Sequence, residues 1–289
     1  MRAFFFGLGY SSQASALRMQ MSGEFVDTLG TVRTTDKADR LTRSGLPALV
    51  FDGTAPGPDV RAALERTSHV IVSIAPDENG DVVLRHHRAA LDAMPNLQWL
   101  CYYSTVGVYG DFGGAWIDES APLAPRNLRS DFRARAEEEW IAYAAARGVS
   151  LCILRLAGIY GPGRSSFDRL AEGTARRVVK PGQVFNRIHV ADIAEVTLLA
   201  AQRRLAGIFN LADDEPAPPQ DLITYAARKM GMEPPPEVDF ETAEMTPMAR
   251  SFYADNKRVS NQAIKAALGI ELIYPNYRAG LDAIWKDFQ

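Results

Sequence analysis

The chain has 289 residues, 47% hydrophobic and 23% charged, and its 32 Lys and Arg against 35 Asp and Glu leave a formal charge of −3. That is the balance of an ordinary globular protein; no Lys/Arg run forms a patch for nucleic acid, and no apolar run is long enough to span a membrane. Four histidines and two cysteines without ligand spacing give no reason to expect a metal.

Met1 leads directly into Ala3–Phe6, a short apolar run stopped by Gly7, with none of the long apolar region or small-residue cleavage site of a secretory leader. Ser12–Met21 lacks Gly and Pro and predicts a helix. Further strands are predicted at Leu29–Val32, Ala48–Phe51, His69–Ala75, Trp99–Tyr103 and Leu151–Leu156. Helical stretches fall between them at Asp59–Arg66, Asp81–Ala93 and Arg133–Arg147. Strands this apolar are covered on both faces, and strand–helix alternation means a parallel sheet. The expected fold is therefore α/β, a Rossmann-type doubly wound parallel sheet. Cys101 and Cys152 lie in strand-like runs and read as small core residues, which suits a reducing cytoplasm.

After about Arg164 the texture changes, with Pro, Gly and charge more frequent. Helices are predicted at Asp192–Gln202, Pro219–Met230 and Asn261–Leu268, with one more strand at Ile208–Leu211. Residues 1–163 are read as the dinucleotide-binding core. Residues 164–289 are read as a smaller mixed C-terminal substrate lobe, some of whose segments return to the core.

Gly7-Leu8-Gly9-Tyr10-Ser11-Ser12 joins the first strand to the first helix. In such a turn the first glycine makes the bend and the second lets backbone approach a pyrophosphate. The helix N-terminus then offers unpaired N–H groups to the anion. The third small position is Ser12, where Gly or Ala is usual; Ser is still small enough to pack helix against strand. The alternative is a strand–helix turn with no ligand.

An NAD site wants an acid after the second strand, and an NADP site an Arg. Here the strand runs into Val32-Arg33-Thr34-Thr35. Arg33, helped by Thr34, is the candidate contact for a ribose 2′-phosphate, against the reading of a solvated surface Arg. The expected cofactor is NADP(H) ahead of NAD(H). Asp52 could accept from an adenine amino group or form an Asp-Gly turn with Gly53. Ala75-Pro76 is small enough for a ribose to lie against the backbone.

A group of segments carries a family resemblance. Tyr103-Ser104-Thr105-Val106-Gly107-Val108-Tyr109-Gly110 resembles the S-S-T-x-x-V-Y-G segment of extended short-chain dehydrogenases/reductases, the NAD(P)-dependent epimerases and dehydratases. Arg155 to Pro162, Asn186-Arg187-Ile188-His189-Val190-Ala191-Asp192 and Phe209-Asn210-Leu211 resemble later segments of that family, in order. The match covers most of the chain and places it in an atypical branch. It implies cofactor contacts at Ser104 and Ala157. It also implies a Ser/Thr that polarises a substrate carbonyl, a Tyr as general acid/base, and a Lys that lowers the phenol's pKa from its reference of about 10. Thr105 takes the Ser/Thr position.

The Tyr-x-x-x-Lys pair has no counterpart: Arg126 to Glu137 contains neither residue. Tyr143 with Arg147 fits the spacing but falls at the wrong end of its helix. Arg133 or Arg135 could replace the Lys as a clamp, or pair along the helix with Glu137 and Glu139. Arginine keeps its proton at any working pH and cannot replace the Tyr. Tyr109 is a substitute phenol or a packing wall, and His189 a titrating group or a helix cap. Arg164 and Arg187 could face an anionic, nucleotide-linked substrate or be surface charges. Lys257 and Arg258 are weaker candidates. Asp81–Ala93 and Arg133–Arg147 could pair two subunits, as similar helices do in the family. The reading is an oxidoreductase or epimerase-like enzyme acting on a carbonyl or carbinol centre of a small molecule. The alternative is a cofactor-binding sensor or scaffold that has lost catalysis.

Overall fold

The computed structural model describes residues 1–288. In chain order the first half comprises β1 (Arg2–Phe6), α1 (Tyr10–Met21), β2 (Asp27–Val32), α2 (Thr35–Arg43), β3 (Ala48–Val50) and α3 (Val60–Glu65). It continues with β4 (His69–Val72), α4 (Val82–Asp92), β5 (Trp99–Thr105), a 3-10 turn (Val106–Tyr109), β6 (Trp116–Ile117) and α5 (Leu128–Arg147). There follow β7 (Ser150–Leu156), β8 (Gly158–Tyr160), α6 (Ser166–Ala171), β9 (Arg177–Val179), β10 (Arg187–His189) and α7 (Val190–Arg203). The chain ends with β11 (Gly207–Leu211), α8 (Pro219–Lys229), β12 (Glu237–Asp239), α9 (Pro247–Ser251), β13 (Arg258–Val259), α10 (Gln262–Leu268) and α11 (Tyr277–Phe288).

Seven strands form one sheet in the order β11-β7-β5-β4-β1-β2-β3. The pairs β3–β2, β2–β1, β1–β4 and β4–β5 are all parallel, with Phe4 opposite both Leu29 and Val70. The order reverses between β1 and β4. Beyond the carboxyl ends of those two strands lies the crevice where open α/β sheets take their ligands. Every predicted strand is present, as expected of apolar runs covered on both faces. The fourth ends at Val72 rather than Ala75, and the helix expected from Arg133 begins at Leu128.

The chain divides into two compact, interleaved units rather than two serial ones. The first comprises Met1–Thr105, Leu128–Arg155 and Ile193–Phe209. Its core packs Phe4, Phe6, Val70, Val72, Leu100 and Tyr102 with Trp140, Tyr143 and Ile153. The second comprises Val106–Asn127, Leu156–Asp192 and Asn210–Gln289. Within it β8 pairs with β10, β9 with β12 and β6 with β13. Tyr160, Phe167, Leu222, Ile223, Tyr277 and Leu281 form its main core. Both cysteines are buried free thiols. Among the described residues no helix is long and apolar enough to cross a membrane.

Candidate cofactor and substrate site

In the first unit, the turn after β1 is held from two sides. Gly7 has φ +95°, a left-handed conformation that favours glycine. Its N–H donates to Thr31 Oγ1 at 3.0 Å, and Leu8 N–H donates to Thr31 O at 2.7 Å. From β4's side, the Ser73 hydroxyl donates to Gly7 O at 2.7 Å and accepts from Ser12 Oγ at 2.9 Å. Ser12 is 1% exposed, so the unusual third position is a buried hydroxyl with a partner just past the end of β4. A side-chain oxygen here costs little because Ser73 satisfies it.

Gly9 is the exposed N-cap of α1 and offers no side-chain cap. A Cβ added at Gly9 would meet nothing within 4 Å, whereas one at Gly7 would lie 2.9 Å from Ser73 Oγ. Gly7 is thus required by the fold and Gly9 by nothing in the protein itself. The helix begins at Tyr10, with Ser11 and Ser12 following, and its first turn carries no acid. An open backbone surface, uncapped N–H groups and the positive end of a helix dipole fit a pyrophosphate.

Arg33 is exposed at the end of β2 and makes no hydrogen bond or ion pair with the described residues. Thr34 follows as the N-cap of α2, without a side-chain cap bond. Asp52 forms the turn weighed as the alternative to an adenine contact. Its carboxylate accepts from Thr54 N at 2.8 Å and Thr54 Oγ1 at 2.7 Å, and these bonds hold its pKa below the usual carboxylate value. Ala75 and Pro76 lie in the loop after β4, with Ala75 exposed.

At the end of β5, Thr105 is half-buried, while Tyr102, Tyr103 and Ser104 are buried. Ser104 donates its hydroxyl to Glu137 Oε1. Its proton is therefore committed within the protein, a departure from the expected cofactor contact. Glu137 in turn binds Arg155, with Nη2 to Oε2 at 2.7 Å and Nε to both oxygens at 3.2 Å. The two charged side chains are 2% and 4% exposed.

The helix-face pairs expected for the α5 arginines are corrected by this network. Glu137 turns inward to β7, and Arg135 pairs with Asp131 at 2.6 Å. Glu139 accepts from Asp81 N at 2.9 Å. Arg133 donates Nη1 to the Tyr103 carbonyl, its guanidinium 5.8 Å from the Tyr102 ring centroid. Burial pushes the Tyr102 and Tyr103 phenols up, away from any acid/base role near neutrality. Tyr143 is buried and Arg147 donates to Met94 O at 2.8 Å, so that pair belongs to packing.

In the second unit, Tyr109 is fully buried and donates its hydroxyl to Asn210 Oδ1 at 2.7 Å. Asn210 also donates Nδ2 to Ser260 O at 3.2 Å, and its N–H donates to Glu119 Oε1 at 2.7 Å. This is the packing alternative, with the phenol held in a hydrogen-bonded interior. Ala157 is buried and donates its N–H to Leu211 O at 3.0 Å.

Arg164 is exposed on a turn closed by its N–H to Gly161 O at 3.0 Å. Arg187, a candidate to face substrate, and His189, a candidate substrate-side titrating group, lie in their unit's interior. Arg187 Nη1 donates to Phe185 O at 3.0 Å and Ala217 O at 2.9 Å, and burial lowers its pKa to about 10. His189 Nδ1 accepts the Ala191 N–H at 3.2 Å, capping the start of α7. Its ring lies 4.2 Å from that of Tyr274, and burial lowers its pKa to about 4, so it is neutral at pH 7. Lys257, also buried, donates to Gly110 O at 2.6 Å.

Comparison with known proteins agrees with the geometry. A solved structure of a conserved protein of unknown function from Silicibacter pomeroyi DSS is 44% identical, with a TM-score of 0.89 over 99% of this chain and 98% of that one. A putative NAD-dependent epimerase/dehydratase from Methylobacillus flagellatus is 28% identical, with a TM-score of 0.76 over 99% and 98% of the two chains. A 3-diazoavenalumate denitrifying reductase from Streptomyces is 29% identical over 182 residues, 57% of this chain and 58% of that protein. The family model for NAD dependent epimerases/dehydratases matches residues 57–212. The chain belongs to the NAD dependent epimerase/dehydratase family.

Proposed function

We propose that the chain is an NADP(H)-preferring oxidoreductase that acts on a carbonyl or carbinol centre of a small molecule, with a nucleotide-linked sugar as the candidate substrate class. The observation that carries the cofactor reading is the turn at Gly7–Ser12. Its backbone is braced by Thr31 and Ser73, and the space beside Gly9 is open. That turn would hold the pyrophosphate, and Arg33 with Thr34 a ribose 2′-phosphate. When bound, the dinucleotide supplies a hydride donor or acceptor at its nicotinamide. The Streptomyces relative named as a reductase supports a redox reading over a purely structural one.

Thr105 donates its hydroxyl to the substrate oxygen and so stabilises negative charge that develops there. Arg133 is anchored by one N–H to the Tyr103 carbonyl, and its remaining donors hold a ribose or phosphate oxygen. An arginine is no general acid or base at working pH, so the proton lost or gained by the substrate would travel through water. Arg164, on its exposed turn in the second unit, is a candidate to bind an anionic group. The reading includes a cytoplasmic setting, where the buried thiols of Cys101 and Cys152 stay reduced.

The test is a fluorescence titration with NADPH and NADH. NADPH binds more tightly, and Arg33→Gln removes that preference by about tenfold or more while leaving NADH unchanged, the loss of one charge-assisted contact. Tighter binding of NADH, or binding of neither, overturns the cofactor reading. If turnover found with a carbonyl substrate is unchanged in Thr105→Val, Thr105 has no part in the chemistry.

A further inference from the structure

The second unit contains a cavity of about 340 Å³ that none of the roles above uses. Its wall brings together Lys180, Arg258, Gln183 and Gln220 with Pro216 and Pro218, and among the described residues no Asp or Glu lines it. We propose that it binds a small oxyanion, a carboxylate or a phosphate ester.

Lys180 donates Nζ to Tyr253 O at 2.5 Å and lies 5.0 Å from the Phe240 ring centroid, which fixes the ammonium in place. Arg258 is anchored by Nη1 to the Gly114 carbonyl. Each side chain keeps further N–H donors, and both residues belong to a wall that, among the described residues, holds no carboxylate. Two anchored cations at one cavity attract an anion and reduce the conformational cost of holding it.

The wall also reaches the start of α8, an 11-residue helix. Its N-cap is Pro218, which offers no side-chain acceptor, so the first-turn N–H groups add positive potential. Asp221 in that turn lies outside the wall.

Gln183 braces the wall from within. This residue is 2% exposed and gives Nε2 to Asp255 O at 2.7 Å and Val184 O at 3.3 Å. Those two carbonyls fix the amide's orientation. Gln183 Oε1 is left buried with no hydrogen-bond partner, as is Gln220 Oε1. The cavity is at the small end of ligand sites, which suits a molecule far smaller than a dinucleotide.

The experiment titrates the full chain with three matched probes, glycerate, glycerol 3-phosphate and glycerol, by calorimetry without any dinucleotide. One or both anions bind, and glycerol does not; which anion binds identifies the source of the charge. Lys180→Met and Arg258→Gln each weaken binding about tenfold, the loss of one charge-assisted hydrogen bond. Lys180→Arg and Arg258→Lys keep the charge and stay within a few-fold of the natural chain. Arg33→Gln has no effect, which separates this cavity from the Gly7–Ser12 turn. Glycerol binding as well as the anions, neither anion binding, or the charge-removing variants binding normally overturns the proposal. NADPH titration is independent of all these outcomes, so either reading can fail alone.

Discussion

The pairing of Glu137 with Arg155 makes a strong claim about stability. Both charges are removed from water, with side chains 2% and 4% exposed, and Ser104 supplies a third member of the network. Glu137→Gln keeps the size of the side chain and an acceptor for Ser104 but leaves the guanidinium without its counter-charge. Removing one partner of such a pair costs about 3–5 kcal/mol, because the other charge stays buried and uncompensated. For a chain of this length that lowers Tm by about 5–10 °C. Replacing both residues by methionine costs much less, since neither desolvated charge remains. The assay is urea unfolding followed by tryptophan fluorescence; Trp99 and Trp140 are both fully buried in the same unit and report its opening. If Glu137→Gln costs under about 1 kcal/mol, or the double replacement costs the sum of the single ones, the network does not hold α5 as argued.

Three further outcomes follow from the geometry. Gly9→Ala leaves stability within about 0.5 kcal/mol, since its methyl meets nothing, yet weakens NADPH binding; unchanged binding would show that the anion does not approach there. Gly7→Ala costs about 1–3 kcal/mol in thermal or urea unfolding, because the residue sits at φ +95° and its methyl would press on Ser73 Oγ. Burial raises the Asp213 pKa to about 8, against the pull of Arg187. The native state therefore holds a proton there that the unfolded chain has lost above about pH 4, so stability falls as pH rises from about 4 to about 8. Asp213→Asn flattens that slope in urea midpoints, and equal slopes in both proteins would refute the assignment.

What could be read from the sequence followed from locality. The Gly7–Ser12 turn, the parallel strands and the loss of Tyr and Lys before Glu137 are patterns of neighbouring residues. What escaped was set by contacts between distant segments. His69–Ala75 looked like one strand, but Ser73 leaves the apolar run to donate to Gly7 O, 66 residues away. Arg155 is a charge in an apolar strand, and its partner lies 18 residues earlier on a helix, out of reach of any local pattern. β8 and β10 are three residues each, too short for a periodicity to be seen.

The inward turn of Glu137 also bears on the missing phenol. Arg129, Arg133 and Glu137 are spaced by four along α5 and share one face of the helix. The Glu137–Arg155 pair and the Ser104 hydroxyl anchor that face to β5 and β7, which fixes the helix in rotation. With rotation fixed, Arg133 reaches the Tyr103 carbonyl at the end of β5, beside Thr105. If Arg133 stands where the family carries its Lys, the place of the family's Tyr falls four residues earlier, at Arg129. On that alignment the position of the acid/base holds Arg129, and an arginine does not serve in that role. The change lies in the chemistry of that position and leaves the scaffold and the dinucleotide turn intact. On the proposed reading, such a site would orient a cofactor and a polarised oxygen and would exchange its proton with solvent.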